Sequence, residues 1–256
     1  MMPRRARLTV FPMVAALTLC GASTSRADFA IYDGALGTLP SAQGWIYLTN
    51  PLFGALATQS VGGGVTTLDT TARTSDQAGY FSTGHPNVGI LDRAVGFTIN
   101  LRMRLVSESH VSGDRAGFSL IVLGSDAKGI ELGFWQDQVW AQNDNPLFTK
   151  GEGAAFNTTT GLTDFGLTIL GNSYSLSANG QSLFGGAVRD YSAFGAPYTS
   201  TNFLFMGDDT SSANARVEIA RVGLAAVPEP SPLTLTGVGA FVLAAFRVQG
   251  RRRRTV

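Results

Sequence analysis

The sequence predicts an all-β fold, an antiparallel β-sandwich or jelly roll, over residues 28–226. Short runs of alternating apolar and polar residues recur along this stretch, and a period of two is typical of strands with one buried face. Turn-forming Gly, Asn and Asp residues separate the runs, and no long helical period appears. Many short strands without helices favour two packed antiparallel sheets.

The clearest predicted strand is residues 97–105, where every second residue is apolar and is expected to face the core. Its apolar positions are Phe97, Ile99, Leu101, Met103 and Leu105. The same alternation predicts further core positions at Phe118-Leu120-Val122, Ile130-Leu132-Phe134, Phe165-Leu167-Ile169, Tyr174-Leu176-Ala178, Phe203-Phe205 and Val217-Ile219.

Four turns are predicted between these strands, at Gly124-Ser125-Asp126, Gly171-Asn172, Asn179-Gly180 and Gly207-Asp208-Asp209. Asn179-Gly180 is the strongest hairpin signal, because both central residues of a type I′ turn need positive φ. Trp45 lies in a strand-like run and is predicted to be a core residue.

The N-terminus predicts a signal peptide over residues 1–27. Three arginines precede an apolar helical segment that ends at Cys20, and Ser25-Arg26-Ala27 suits cleavage by signal peptidase after Ala27. Lipidation of Cys20 is an alternative, but Leu19 stands where a small residue is needed. Because Cys20 is the single cysteine, the mature chain has no disulfide, thiolate metal site or cysteine nucleophile.

The C-terminus predicts a sorting tail over residues 227–256. Pro228, Glu229 and Pro230 form an extended, rigid segment, and an apolar helix of about sixteen residues follows, shorter than the roughly twenty that span a bilayer comfortably. Arg247 and residues 251–254 are expected to stay cytoplasmic under the positive-inside rule. The alternative is a permanent, unprocessed anchor.

The processed chain is acidic although the full chain is nearly neutral. Nine of the 19 basic residues lie in the two termini, while all 18 acidic residues lie between Asp28 and Glu229, which leaves a net charge near −8. Nucleic acid is therefore excluded as a partner, because its binding depends on neutralising phosphates. Neutral polysaccharide and divalent cations remain compatible.

The tail resembles the PEP-CTERM sorting region of Gram-negative bacteria that make extracellular polysaccharide. The resemblance covers residues 227–254 and implies recognition and removal of the tail by exosortase, a membrane-embedded peptidase. It also implies a cell-surface or extracellular-matrix location after transient membrane anchoring.

The body resembles concanavalin A-like and laminin G-like jelly rolls over roughly residues 90–225, through the late hairpin around Asn179-Gly180 and the last two strands. It is also similar to choice-of-anchor extracellular domains, which have no assigned activity.

Catalytic patterns are weak, so a non-enzymatic body is expected. Laminarinase-type jelly rolls carry Glu-x-Asp on one strand, whereas Glu131 is followed two residues later by Gly133. His85 and His110 are interpreted as surface loop residues, and Gly62-Gly63-Gly64 lacks the Lys-Ser/Thr of a phosphate loop. A secreted glycan-active enzyme remains the last alternative.

The alternative binding function is a carbohydrate-binding module. A two-residue turn at Asp137-Gln138 would place Trp135 opposite Trp140. Because directly opposed residues of two paired strands share a face, the two rings would lie on the same side of the sheet. By alternation, Glu131 and Gln142 join the two rings on the exposed face, where rings stack on sugars and polar groups bind hydroxyls. Extracellular polysaccharide is the partner this implies. A covering loop, or a slipped register, is the competing interpretation.

No cofactor is predicted, and structural calcium is left open. Carboxylate and amide oxygens that suit calcium occur at Asp208-Asp209 with Asn214, and at Asp144 with Asn143 and Asn145. Neither group matches the spacing of a calcium-binding loop, so ordinary surface turns are the favoured interpretation.

Overall fold

The computed structural model describes residues 28–50 and 56–227, and these form two antiparallel sheets of eight and seven strands. The predicted all-β class and the antiparallel sandwich are confirmed. Three short 3-10 turns, at Gly34–Leu36, Pro40–Gln43 and Ser192–Phe194, are the helical elements of these ranges. None is long and apolar enough to cross a membrane. The predicted leader and tail helices lie outside the described residues.

The eight-stranded sheet is built around two long strands, β6 (Phe97–His110) and β15 (Ala213–Ala226). Its spatial order is β13 (Gln181–Ala187), β12 (Ser173–Ala178), β11 (Thr163–Leu170), β6, β15, β4 (Val65–Asp69) and β3 (Thr58–Gly62). The first strand, β1 (Phe29–Asp33), pairs with β15 beyond the part that pairs with β4. The last strand of the domain therefore lies beside the first.

The seven-stranded sheet carries the features that matter for function. Its order is β10 (Leu147–Ala155), β9 (Gln138–Asp144), β8 (Gly129–Phe134), β7 (Ser119–Leu123), β14 (Phe203–Asp208), β5 (Ala78–Phe81) and β2 (Ile46–Thr49). Four consecutive strands, β7 to β10, form a meander. β14 then joins β5 to β7, which inserts a late strand between early ones.

The core lies between the sheets and contains the alternating residues that the sequence predicts. All five apolar positions of β6 are buried, as are those predicted on β7, β8, β11, β12 and β15. Trp45 is also in the core and donates from Nε1 to the Ile31 carbonyl oxygen at 2.8 Å. Each fully buried aliphatic side chain contributes about 1.5–3 kcal/mol to stability.

Three of the four predicted turns are confirmed. Asn179 and Gly180 have φ of 50° and 78°, as a type I′ hairpin between β12 and β13 requires. The turn predicted at Gly207-Asp208-Asp209 is wrong, because β14 continues through Asp208.

Phe203 and Phe205 are buried in a strand, as predicted, but they do not lie between the two sheets. These two residues pack in a second apolar cluster, while Leu204 and Met206 face the core between the sheets. β14 is apolar at both sets of alternating positions, so its sequence pattern does not distinguish its two faces. The second cluster lies on the outer face of the seven-stranded sheet.

Candidate functional site

The outer face of the seven-stranded sheet is buried over its central strands. On β7, β8 and β14 every residue is buried, on both faces. Antiparallel sheets commonly leave one face in water, whereas here other parts of the chain cover these strands. Two segments provide the cover: residues 111–117, after β6, and residues 188–202, between β13 and β14.

The covering segment 188–202 is attached to the sheet by backbone and side-chain hydrogen bonds. Arg189 and Gly129 exchange both backbone hydrogen bonds, at 2.8 and 3.0 Å. The Tyr191 hydroxyl donates to the Gln142 carbonyl oxygen at 2.6 Å and accepts from the Glu131 backbone N–H at 3.2 Å. The segment is thus held across β8 and β9.

Trp135 and Trp140 share this outer face, but their register differs from the predicted one. Phe134 lies opposite Val139, and Trp140 lies opposite Gly133. The backbone N–H of Trp135 donates to the Gln138 carbonyl oxygen. The turn is centred on residues 136–137, so the predicted turn at Asp137-Gln138 is wrong. The error in pairing is two residues, an even number, which preserves the face. The two rings meet edge to face with centroids 4.8 Å apart.

The expected exposure of this aromatic pair is wrong for Trp140, which is fully buried. Lys150 places Nζ 3.0 Å from the Trp135 ring centroid and 4.2 Å from that of Trp140. His110 stacks on Trp135 at 3.7 Å with ring planes 7° apart. The protein's own cationic and aromatic groups therefore occupy ring faces that a sugar would need.

Gly133 creates the space for the Trp140 ring. A Cβ at Gly133 would lie 2.6 Å from Trp140 Cζ2, and one at Gly153 would lie 2.7 Å from Trp140 Cβ. Real Cβ atoms are almost never that close to another heavy atom. The position where laminarinase-type enzymes carry an aspartate is here required to be glycine, because the indole of Trp140 lies over it.

Glu131 and Gln142 also lie on this face, where both are fully buried rather than exposed. Gln142 Nε2 donates to the Asp114 carbonyl oxygen at 2.7 Å. Glu131 Oε1 accepts from Arg115 Nη1 at 3.1 Å, and Oε2 accepts from the Tyr198 hydroxyl at 2.5 Å. These two residues therefore bind the covering segments.

Arg115 links Glu131 to a second carboxylate, Asp209. Arg115 Nη2 donates to Asp209 Oδ2 at 2.9 Å, and the Tyr198 hydroxyl lies 3.3 Å from the same oxygen. The Arg115 guanidinium also lies over the Phe148 ring, with Cζ 4.6 Å from its centroid. We call Arg115, Glu131, Tyr198 and Asp209 the buried ionic cluster.

Burial controls the protonation of this cluster. Desolvation, followed by the charge of Asp209, raises the pKa of Glu131 to about 8, against the lowering effect of Arg115. Desolvation also raises the pKa of Tyr198 and of the neighbouring Asp208. Burial alone would lower the pKa of Arg115, but the nearby Asp209 and Glu131 outweigh this effect and raise the pKa. At neutral pH Glu131 is therefore mainly protonated, and the guanidinium keeps its charge.

An open cleft of about 580 Å³ lies beside the buried ionic cluster. We call it the aromatic cleft. Outer-face residues of the sheet form its floor, with Phe81 and Phe205 in contact at a centroid distance of 4.8 Å. Its wall comes from β10 and the covering segment: Phe148, Phe194 and Tyr198 have mutual centroid distances of 5.1 to 5.6 Å. The polar groups that reach it belong to Asn50, Gln77, Arg115, Asp208 and Asp209.

Sequence reasoning did not identify the residues that form this cleft. Arg115, Phe148, Phe194 and Tyr198 all lie in connections or at a strand start, outside the alternating core pattern. One signal was available: residues 191–198 combine three aromatic residues with Gly and Pro in a connecting segment. Aromatic residues in loops frequently serve binding, because loops on a rigid scaffold carry function.

The prediction of surface loop histidines is wrong for His85, whereas His110 is exposed as predicted but lies in a strand rather than a loop. His85 is buried; its Nε2 lies 3.1 Å from the Ile31 carbonyl oxygen and its Nδ1 accepts from the Asn87 N–H. His110 is the last residue of β6 and stacks on Trp135.

Two of the residues considered for calcium, Asp208 and Asp144, have carboxylate oxygens that the protein itself engages. Asp208 accepts from Thr70 and Thr210, and an Asp144 oxygen accepts from the Asp190 N–H. Within residues 28–50 and 56–227, no group of three His, Cys, Asp or Glu side chains is arranged to hold a metal ion.

Comparisons with known proteins show the fold. No family model matches the chain, and no curated protein matches it. A carbohydrate esterase of the Shiga toxin-encoding bacteriophage phi24B is 14% identical, with a TM-score of 0.53 over 78% of this chain and 99% of that one. At this identity the likeness shows a shared β-sandwich fold alone.

Two further structures are more distant. The Ca²⁺- and Man2-bound lumenal domain of VIP36 is 8% identical, with a TM-score of 0.46 over 80% of this chain and 90% of that one. An alginate lyase of polysaccharide lyase family 7 is 10% identical, with a TM-score of 0.43 over 67% of this chain and 84% of that one.

Proposed function

We propose that this protein is an exported, non-enzymatic β-sandwich of the cell surface or polysaccharide matrix, and that it binds a glycan in the aromatic cleft. The single observation that carries the proposal is the cleft itself, an open, aromatic-walled space above a rigid sheet. The concanavalin A-like character of the fold and the carbohydrate ligand of the cleft are both parts of this proposal.

The chemistry of the cleft suits a sugar. Phe194 is 56% exposed at the rim, so its ring face is available to stack on the C–H face of a pyranose. Asn50 and Gln77 add amide groups to the lining; Asn50 Nδ2 donates to Gln77 Oε1 at 2.8 Å, and Gln77 Nε2 donates to the Asp209 carbonyl oxygen at 3.0 Å. Ligand sites usually combine such an apolar surface with a few placed polar groups. The phi24B neighbour acts on carbohydrate by its name, but the cleft, and not the fold likeness, supports the assignment here.

The cleft is a better candidate than the Trp135–Trp140 pair. Lys150 and His110 lie against these rings, and Trp140 has no exposed surface. A sugar would have to displace both groups before it could stack. The pair therefore belongs to the cover of the sheet, and the binding surface lies on the other side of Arg115.

A glycan-active enzyme is the weaker candidate. Glycoside hydrolases hold two carboxylates about 5–9.5 Å apart with the sugar between them. Here Glu131 has no exposed surface, and it shares the Tyr198 hydroxyl and the Arg115 guanidinium with Asp209. This arrangement leaves no room for a glycosidic bond between the carboxylates. Release of reducing sugar or acetate by the purified protein would reverse this ranking.

Export by the PEP-CTERM route places the cleft where extracellular glycan occurs. The proposal requires removal of residues 1–27 by signal peptidase and of the apolar tail by exosortase. Intact-mass measurement of the extracellular protein tests it: the expected mass begins at Asp28 and lacks residues 231–256. A mass that includes the tail would indicate a plain membrane anchor.

Affinity electrophoresis of the secreted protein in gels containing polysaccharide tests the cleft. Retardation is expected for the native protein and should be lost in Phe194→Ala, with a loss of about 1–3 kcal/mol of binding free energy, the range for a stacked ring on a flat ligand. Phe29→Ala is the matched control, because Phe29 is 68% exposed on the other sheet. Equal retardation of both variants would place binding outside the cleft.

A further inference from the structure

The charges around the aromatic cleft bear on which glycans it can accept, and this inference rests on the proposed glycan-binding function. Among the described residues that line the cleft, Arg115 is the single Lys or Arg. A guanidinium is the usual partner for carboxylate, sulfate or phosphate groups, which it binds through two parallel N–H bonds. Recognition of an acidic polysaccharide here would therefore fall to Arg115.

Arg115 is already committed to the protein's own carboxylates. Its two terminal nitrogens bind Glu131 and Asp209, one each, and its flat face rests against Phe148. Only 14% of its side chain is exposed. An anionic sugar would have to displace Asp209, whose Oδ2 lies 2.9 Å from Nη2, and the Glu131 carboxyl group, whose Oε1 lies 3.1 Å from Nη1.

The charge balance around the cleft is unfavourable to anions. One guanidinium faces three carboxyl groups, those of Glu131, Asp208 and Asp209. Burial raises the pKa of both Glu131 and Asp208, and any loss of their protons adds negative charge beside the cleft. The processed chain adds a net charge near −8. Like charges across a binding site repel each other and so exclude the wrong partner.

We infer that the aromatic cleft takes uncharged, hydroxyl-rich polysaccharide and rejects uronate polysaccharide, and that Asp209 determines this specificity. Asp209 acts through Oδ2, which lies 2.9 Å from Arg115 Nη2 and neutralises the guanidinium. Rejection of the anion thus follows from an internal ion pair, without a steric block.

The test is affinity electrophoresis of the secreted protein against two neutral polysaccharides, dextran and glucomannan, and two uronates, alginate and polygalacturonate. Retardation by at least one neutral polymer and by neither uronate is expected, with no change between about 50 and 500 mM NaCl because no ion pair forms with the ligand. Stronger retardation by a uronate overturns this inference but leaves glycan binding intact. Retardation by none of the four overturns the glycan proposal, and this inference with it.

Asp209→Asn sharpens the test by removing the charge while preserving the side chain's shape. The ratio of uronate affinity to neutral-glycan affinity should rise about tenfold or more, because one negative charge close to the ligand has been removed. Asn214→Asp is the control, since it adds a carboxylate at a buried position outside the lining of the cleft. An unchanged ratio in a folded Asp209→Asn protein contradicts the role of Asp209. If that variant does not fold, the comparison of polymers on the native protein still decides the question.

Discussion

The two sheets of the sandwich differ in what lies on their outer faces. On the eight-stranded sheet, β6 and β11 alternate between buried and accessible residues, as expected for a sheet with one face in water. On the seven-stranded sheet, β7, β8 and β14 are buried on both faces. The difference shows where function is to be sought, because the covered face contains buried charges and a cleft that folding alone does not require.

The same contrast appears in the ion pairs of the two faces. Arg104 and Glu218 form a surface pair at 2.8 Å on the eight-stranded sheet, with the arginine side chain 36% exposed. Arg115 and Glu131 form a pair at 3.1 Å on the other sheet, with the carboxylate fully buried. Surface pairs contribute little, whereas breaking a buried pair leaves an uncompensated charge.

The largest expected effect is therefore on Arg115. We expect Arg115→Ala to reduce the free energy of unfolding by about 3–5 kcal/mol, because the largely buried Asp209 carboxylate loses its cation and the buried Glu131 carboxyl group loses a hydrogen bond. Arg104→Ala should cost about 1 kcal/mol or less. Urea denaturation of both variants measures the difference. Equal losses of unfolding free energy would show that the buried ion pair of the covered face contributes no more to stability than the surface pair.

The next effect concerns one glycine on each outer face. Gly133→Ala would place its Cβ 2.6 Å from the rigid Trp140 ring, whereas Gly166→Ala on β11 meets the movable Ser177 hydroxyl at 2.9 Å. Overpacking of a filled site costs about 1–3 kcal/mol, so Gly133→Ala should approach the upper value. Gly166→Ala should be near neutral because replacing a strand glycine also removes unfolded-state entropy. Thermal unfolding of the pair tests this, and a stable Gly133→Ala protein would contradict the placement of Trp140.

A smaller effect is expected in the pH dependence of stability. Glu131 has a pKa of about 8 in the folded protein and about 4.5 when unfolded, so the folded state holds the extra proton between these values. Stability should therefore fall as pH rises through this window, and Asp208, whose pKa is also raised, acts in the same direction. Glu131→Gln should flatten the curve of unfolding free energy against pH.

Glu152 provides the control for this measurement. Desolvation acts to raise its pKa, but hydrogen bonding to Arg189 outweighs this and lowers it, so its contribution is present above the ordinary carboxyl pKa and is lost as pH falls below it. Glu152→Gln should leave the slope between about pH 5 and 8 as it is in the native protein. A slope that Glu131→Gln leaves unchanged would mean that Glu131 is not the buried acid of this face.

Much of the fold was predictable because its determinants are local. Alternation placed the core residues of β6, and Asn179-Gly180 placed a hairpin with both residues at positive φ. The pairing of Trp135 and Trp140 on one face was also predictable, because parity survives an error of two in register. The turn itself was not, since Gln136, Asp137 and Gln138 are all acceptable turn residues.

The sequence by itself determined which residues of each alternating strand share a face, the position of the Asn179-Gly180 hairpin turn and the acidic charge of the body. Only the tertiary structure decided that one outer face is covered. Glu131 meets Tyr198, 67 residues away, and Arg115 meets Asp209, 94 residues away. The physical reason is that strand periodicity depends on neighbouring residues, whereas desolvation of a carboxylate depends on which distant segments close over it.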